Sequence, residues 1–104
     1  MRLITPGINI AVIRSFKSRN AEAIFRGALV KGMDSRIQQR AREKLKYLDA
    51  AGDLRDLMIP PSNRLEALRG DRKGQFSIRV NQRWRICFCW SHGDALDVEL
   101  VDYH

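Results

Sequence analysis

The chain has 104 residues, 44% hydrophobic and 30% charged, a balance that excludes a disordered chain and leaves room for only one core. Nineteen Lys/Arg against twelve Asp/Glu give a formal net charge of +7, which points to a polyanion or an acidic partner. No apolar run approaches the roughly 20 residues that span a bilayer, and Pro6, Gly7 and Asn9 interrupt the opening apolar stretch, so neither a membrane span nor a signal peptide is read and a cytoplasmic location is expected.

Residues 10–16 read as a short first strand. Asn20 is placed to cap a helix over about 21–31, whose apolar stripe is Ala21, Ile24, Phe25, Ala28 and Leu29, with Gly32 as its breaker. Ser35 followed by Gln38 has the spacing of a capping box and opens a second helix, with Ile37, Ala41, Leu45 and Leu48 on one face and Gly52 at its end. The connector DLRDLMIPPSN carries Pro60 and Pro61, which forbid a regular central strand or helix there. Beyond it the hydrophobic period changes from 3.6 to 2. Residues 64–68, 75–80, 83–90 and 95–103 read as strands, separated by GDRKG, NQ and SHGD as hairpin turns. The expected fold is α+β: two helices packed on one face of a mostly antiparallel sheet of four to five strands.

Strand parity divides the sheet into two faces. Leu65 and Ala67, then Phe76, Ile78 and Val80, then Trp84, Ile86, Phe88 and Trp90 are expected under the helices. The opposite face receives Arg64, Glu66, Ser77, Arg79, Arg83 and Arg85. A carboxylate among so many arginines is more than solubility requires, since mixed polar residues would serve without concentrating like charge. Charge is also segregated along the chain. Residues 14–46 hold ten Lys/Arg against Glu22, Asp34 and Glu43, whereas residues 91–104 carry Asp94, Asp97, Glu99 and Asp102. Cys87 and Cys89 share a strand face but are too close in sequence to bridge without distortion, and with His92 and His104 as the sole histidines they make poor metal-site material. Two reduced, mostly buried thiols and no metal are expected.

The run NRLEALRGDRKGQFSIRVNQRWRICFCW, the opening VIRSFKS and the closing VELVDYH resemble HigB-type toxins, a branch of the RelE superfamily. The similarity covers about Val12 to His104. It implies a RelE-like fold and a ribosome-dependent endoribonuclease of a type II toxin–antitoxin system, acting on messenger RNA in the ribosomal A site of the 70S particle. It also implies a helix-turn-helix antitoxin of the HigA type, expected to dock on the helical region 14–51, with operator DNA engaged only through that antitoxin. No cofactor is implied. Residues 12–104 then form the toxin domain. Residues 1–11 are an extension, either preceding a true start at Val12 or a genuine tail.

RNA cleavage without a metal needs a base for the ribose 2′-OH, cations for the crowded phosphorane and an acid for the leaving 5′-oxygen. Arg85 matches the family's arginine after the strand tryptophan and is the candidate phosphate stabiliser, its planar fork suiting phosphate better than Lys. The plainer role is a salt bridge to Asp102 or Glu99. Arg64, Arg69, Arg72, Lys73, Arg79 and Arg83 are candidate RNA contacts, with a solvated hairpin tip as the alternative for Arg69, Arg72 and Lys73. Asp102, Tyr103 and His104 match the family's ending. His104 is a candidate acid or base, Tyr103 a stacking group or a packing aromatic, and Asp102 an orienter of an imidazole or an arginine. Glu66 stands where some members carry histidine. Surrounding cations would keep it ionised, so it is a modest base or, more in keeping with its neighbours, an organiser of arginines. His92 reads as a loop residue. Two other readings compete with the toxin: a non-catalytic RNA- or ribosome-binding module, and a DNA-binding helical hairpin built on residues 14–46, which lacks an evident recognition face.

Overall fold

The computed structural model describes residues 11–103; residues 1–10 of the proposed extension, among them the start of the first strand at Ile10, and His104 fall outside them. Two helices, α1 (Arg19–Phe25) and α2 (Ser35–Asp49), precede strands β1 (Glu66–Ala67), β2 (Gln75–Arg79), β3 (Trp84–Ser91) and β4 (Asp94–Asp102). The strands pair as an antiparallel meander in the order β1-β2-β3-β4. No helix among the described residues is long and apolar enough to cross a membrane.

The core lies where parity put it. Ile78, Val80, Ile86 and Phe88 are buried beneath Ile24, Ala41, Leu45 and Leu48, and Ala95, Val98 and Leu57 complete the layer. Each of these larger aliphatic or aromatic side chains contributes roughly 1.5–3 kcal/mol by leaving water. Ala67 departs from the expectation and is exposed, on the two-residue edge strand β1. Leu65, just before it, is half-buried against the core.

The expected first strand is present as two isolated parallel bridges to β4, Ile13↔Ala95 and Phe16↔Val98. Its regularity is broken by a bulge in β4, where Asp97 takes φ 53° and its amide donates to the Ser15 hydroxyl at 2.8 Å. Asp49 at the end of α2 anchors this segment by accepting from the Val12 and Ile13 amides at 3.0 and 2.8 Å.

The helix termini differ from the sequence reading. Ser18, not Asn20, caps α1, accepting from the Ala21 amide at 3.0 Å. The helix stops at Phe25, and Gly27 then adopts φ 90°, a conformation that glycine takes without steric cost. Ala28 and Leu29 therefore leave the apolar stripe, and Leu29 is 84% exposed. Asp34, not Ser35, caps α2, through the Arg36 amide at 2.7 Å. Gln38 is not part of a capping box. Its buried amide accepts from the Val30 N–H at 2.8 Å and donates to the Val30 and Met33 carbonyls, both at 2.7 Å, satisfying the backbone of the chain between the helices.

The proline-rich connector forms two short 3-10 turns, Leu54–Met58 and Pro61–Asn63. Asn63 is wholly buried and donates to the Leu57 and Ile59 carbonyls at 3.1 and 3.3 Å, while its oxygen accepts from Lys44. His92 and Gly93 both have positive φ and close the β3–β4 hairpin, as a two-residue primed turn requires.

Candidate active site

The face of the sheet opposite the helices is organised by cross-strand register. Glu66 pairs with Ser77, Ser77 with Cys87, and Cys87 with Glu99, so these four form one row across β1 to β4. The adjacent row is Arg79, Arg85 and Val101. Polar and charged side chains from all four strands thus meet on one surface, because strand residues two apart share a face.

Arg85 is the centre of this surface and is only 9% exposed. Its Nε donates to the Ser77 hydroxyl at 2.8 Å, its Nη2 donates to the Arg64 carbonyl at 2.6 Å, and Nη2 lies 3.0 Å from Glu66 Oε1. The Arg64 backbone is left-handed at φ 46°, a conformation costing about 1–3 kcal/mol in a non-glycine residue. Arg64 therefore serves the site through its carbonyl, where the sequence suggested a side chain on the open face. Among the described residues the Arg85 Nη1 amino group has no protein partner, and no buried side-chain nitrogen or oxygen lacks one. Nη1 is therefore the end of the guanidinium open to a ligand. The Tyr103 ring lies beside it, 6.0 Å from the guanidinium carbon.

A second cation is fixed nearby. Arg72 Nη1 donates to Glu99 Oε2 at 2.8 Å and to Gln75 Oε1 at 3.0 Å. The Glu99 hydrogen bond raises the Arg72 pKa above the ordinary arginine value, so its charge is permanent. Lys17 approaches the same carboxylate at 3.8 Å. Beneath Tyr103, burial pushes the Cys87 thiol up. Burial also raises the Tyr103 phenol, as does the neighbouring Cys87. At neutral pH both groups are protonated, and the phenol remains a hydrogen-bond donor.

Other expected site residues lie elsewhere. Arg83 precedes β3, grips Asp102 with Nε–Oδ1 2.9 Å and Nη2–Oδ2 2.8 Å, and lies over the Trp84 ring at 5.7 Å. Among the described residues Asp102 pairs with Arg83. Arg85 takes Glu66 as its carboxylate, neither Asp102 nor Glu99. Arg69 and Lys73 flank the exposed 3-10 turn Gly70–Arg72. Arg79, next to Arg85 in register, lines a cleft shared with α2. His92 contacts its neighbour, with Nδ1 2.9 Å from the Ser91 hydroxyl. The residues missed from sequence are Ser77 as an Arg85 ligand, Gln75 and Glu99 as Arg72 ligands, and Cys87 beneath Tyr103. Strand parity puts Glu66, Ser77 and Cys87 on one face, but Glu99 joins their row only through the register shift in β4 opposite Cys87 and Cys89.

Residues 14–104 match the family described as "RelE-like toxin of type II toxin-antitoxin system HigB". The chain belongs to this HigB family. It is 32% identical over 93 residues to a protein named Endoribonuclease HigB from Proteus vulgaris, covering 89% of this chain and all of that one. It is 48% identical over 66 residues to Toxin HigB-1 from Vibrio cholerae, covering 64% of this chain and 70% of that one. A YoeB/ParE toxin from Agrobacterium tumefaciens superposes with a TM-score of 0.48 at 18% identity, over 89% of this chain and 98% of the other. As a HigB-family member the chain is the toxin of a type II toxin–antitoxin pair, and a cognate antitoxin is its partner.

Proposed function

We propose that this HigB-family toxin is an endoribonuclease that cleaves messenger RNA in the ribosomal A site by attack of a ribose 2′-OH on the adjacent phosphodiester. Its likeness to the Proteus vulgaris protein named as an endoribonuclease supports the class of reaction. The observation that carries the residue assignment is Arg85, held by Ser77, Arg64 and Glu66 with Nη1 open on the sheet face. A pre-positioned guanidinium stabilises charge developing on the phosphorane without having to reorganise during the reaction. Arg72, set by Glu99 and Gln75, supplies a second permanent positive charge for the RNA backbone. Glu66 orients Arg85. Tyr103 presents a ring for a splayed base and a protonated phenol near the reacting phosphate. His104 follows it in the chain and is proposed as the acid or base of proton transfer. Arg69 and Lys73 at the exposed turn are proposed to track the strand. The bond to the 5′-oxygen breaks as the 2′-oxygen bonds phosphorus, leaving a 2′,3′-cyclic phosphate and a 5′-hydroxyl, and this route calls on no metal.

Toe-printing on translating 70S ribosomes tests the reading. Wild type should give defined cuts that Arg85→Lys reduces by about 10²–10³-fold, with circular dichroism unchanged. A wild-type protein that binds ribosomes and never cuts would replace this reading with a non-catalytic ribosome-binding module.

The antitoxin, of helix-turn-helix type, is proposed to dock on the helical region 14–51 and to be the only route to operator DNA. Supporting this, an open groove of about 270 Å³ lies between the two helices, lined by Ile24, Ala28, Leu29, Gln38 and Arg42. Hydrogen exchange of the purified complex should show protection there; a complex that leaves residues 14–51 unprotected would exclude the assignment.

A further inference from the structure

A cleft of about 330 Å³ opens between α2 and the end of β2. Arg40 and Lys44 line it from the helix, Arg79 from the strand, Asn81 from the following turn and Ser62 from the connector; no carboxylate contributes. Among the described residues neither Arg40 nor Arg79 is in an ion pair or a side-chain hydrogen bond. Lys44 is held in place by buried Asn63. Burial and the adjacent Arg40 charge both depress its pKa, and Glu43 opposes them. The Asn81 oxygen accepts from the Arg83 and Trp84 amides at 2.9 and 2.7 Å, leaving its NH2 as the free end. Three gathered cations with no carboxylate in the cleft lining are a state that an anion relieves.

The cleft also adjoins the candidate active site. Arg79 is the cross-strand partner of Arg85, one step of about 5 Å away.

We propose that this cleft is a second phosphodiester subsite, holding a backbone phosphate of the same RNA strand whose scissile phosphate lies against Arg85. The proposal rests on the RNA-cleaving reading. A strand held at both points runs from Tyr103 and Arg85 past Arg79 toward α2, which fixes its direction over the sheet.

The test is equilibrium binding of a short 2′-O-methyl RNA, which keeps its phosphates and cannot be cut, across a salt series. Arg40→Gln and Arg79→Gln should each weaken binding by about three- to tenfold and lower the slope of log K against log salt by about 0.7, the value for one phosphate on a single strand. Arg36→Gln removes the same charge from a side chain that is 90% exposed and should leave both quantities unchanged. Equal losses in all three variants would show diffuse attraction and overturn the subsite. So would unaltered RNA binding with weakened ribosome binding, which would assign the cleft to ribosomal RNA. Failure of wild type to cleave, with the binding pattern intact, would overturn the nuclease reading and leave the subsite standing.

Discussion

Glu66 and Arg85 form an ion pair of 3.0 Å although their strands, β1 and β3, are separated in the sheet by β2. The contact is diagonal. Glu66 is opposite Ser77, and Arg85 is opposite Arg79. Ser77 between them is small enough to let the guanidinium cross the row, and its hydroxyl oxygen accepts from Arg85 Nε as well. The carboxylate is 59% exposed while the arginine side chain is 11% exposed, so the pair matters for positioning more than for stability.

Glu66→Gln should therefore lower cleavage by about tenfold and alter stability by about 1 kcal/mol or less. The decisive readout is the pH–rate profile. A positioning carboxylate leaves the acidic limb in place when it is neutralised. A general base would take that limb with it and cost about 10²–10⁴-fold.

Tyr103 and Cys87 both have folded-state pKa values above their ordinary values of 10.0 and 9.0. For groups shifted upward, the folded protein binds more protons than the unfolded chain once pH passes the unfolded values. Their stabilisation is complete below about pH 9 and is lost as pH rises through the folded values. Thermal unfolding of wild type should show a fall in Tm from pH 9 upward. Cys87→Ala should start lower at pH 7, through lost packing, and fall less steeply above pH 9. Parallel curves for the two proteins would contradict the shift.

Arg83 and Asp102 make a two-point ion pair on a side chain that is 58% exposed. Exposed pairs of this kind add little to stability, because solvent screens both charges. Arg83→Ala should shift Tm by a few degrees at most and leave cleavage within about threefold of wild type. A loss comparable to that of Arg85→Lys would instead place Arg83 on the reacting phosphate.

Asn63 has the reverse profile: no exposure and no place on the sheet face. It satisfies the Leu57 and Ile59 carbonyls and receives Lys44. Asn63→Ala leaves these groups without their partner, at about 1–3 kcal/mol for each one that stays dry. Urea unfolding should show a loss of roughly 3 kcal/mol, one of the larger single-residue effects in the molecule. A loss below about 0.5 kcal/mol would mean that water replaces the amide.

The layers, the meander and the face on which Glu66, Ser77, Arg79 and Arg85 meet are legible in the residue pattern alone. Those features follow from local rules, since a period of two sorts strand faces and tight turns leave little choice of register. The HigB resemblance was legible for the same reason, being carried by those strands. Where a polar side chain finds its partner was decided elsewhere. Ser18 and Asp34 cap the helices, Gln38 turns back to Val30, Arg83 takes Asp102, and Arg64 offers a carbonyl. Long polar side chains reach across strands and layers, and spacing along one segment cannot rank partners that come from another. The cleft of Arg40, Lys44 and Arg79 belongs to that second class, because helix and strand residues far apart in the chain become one surface only after the core has closed between them.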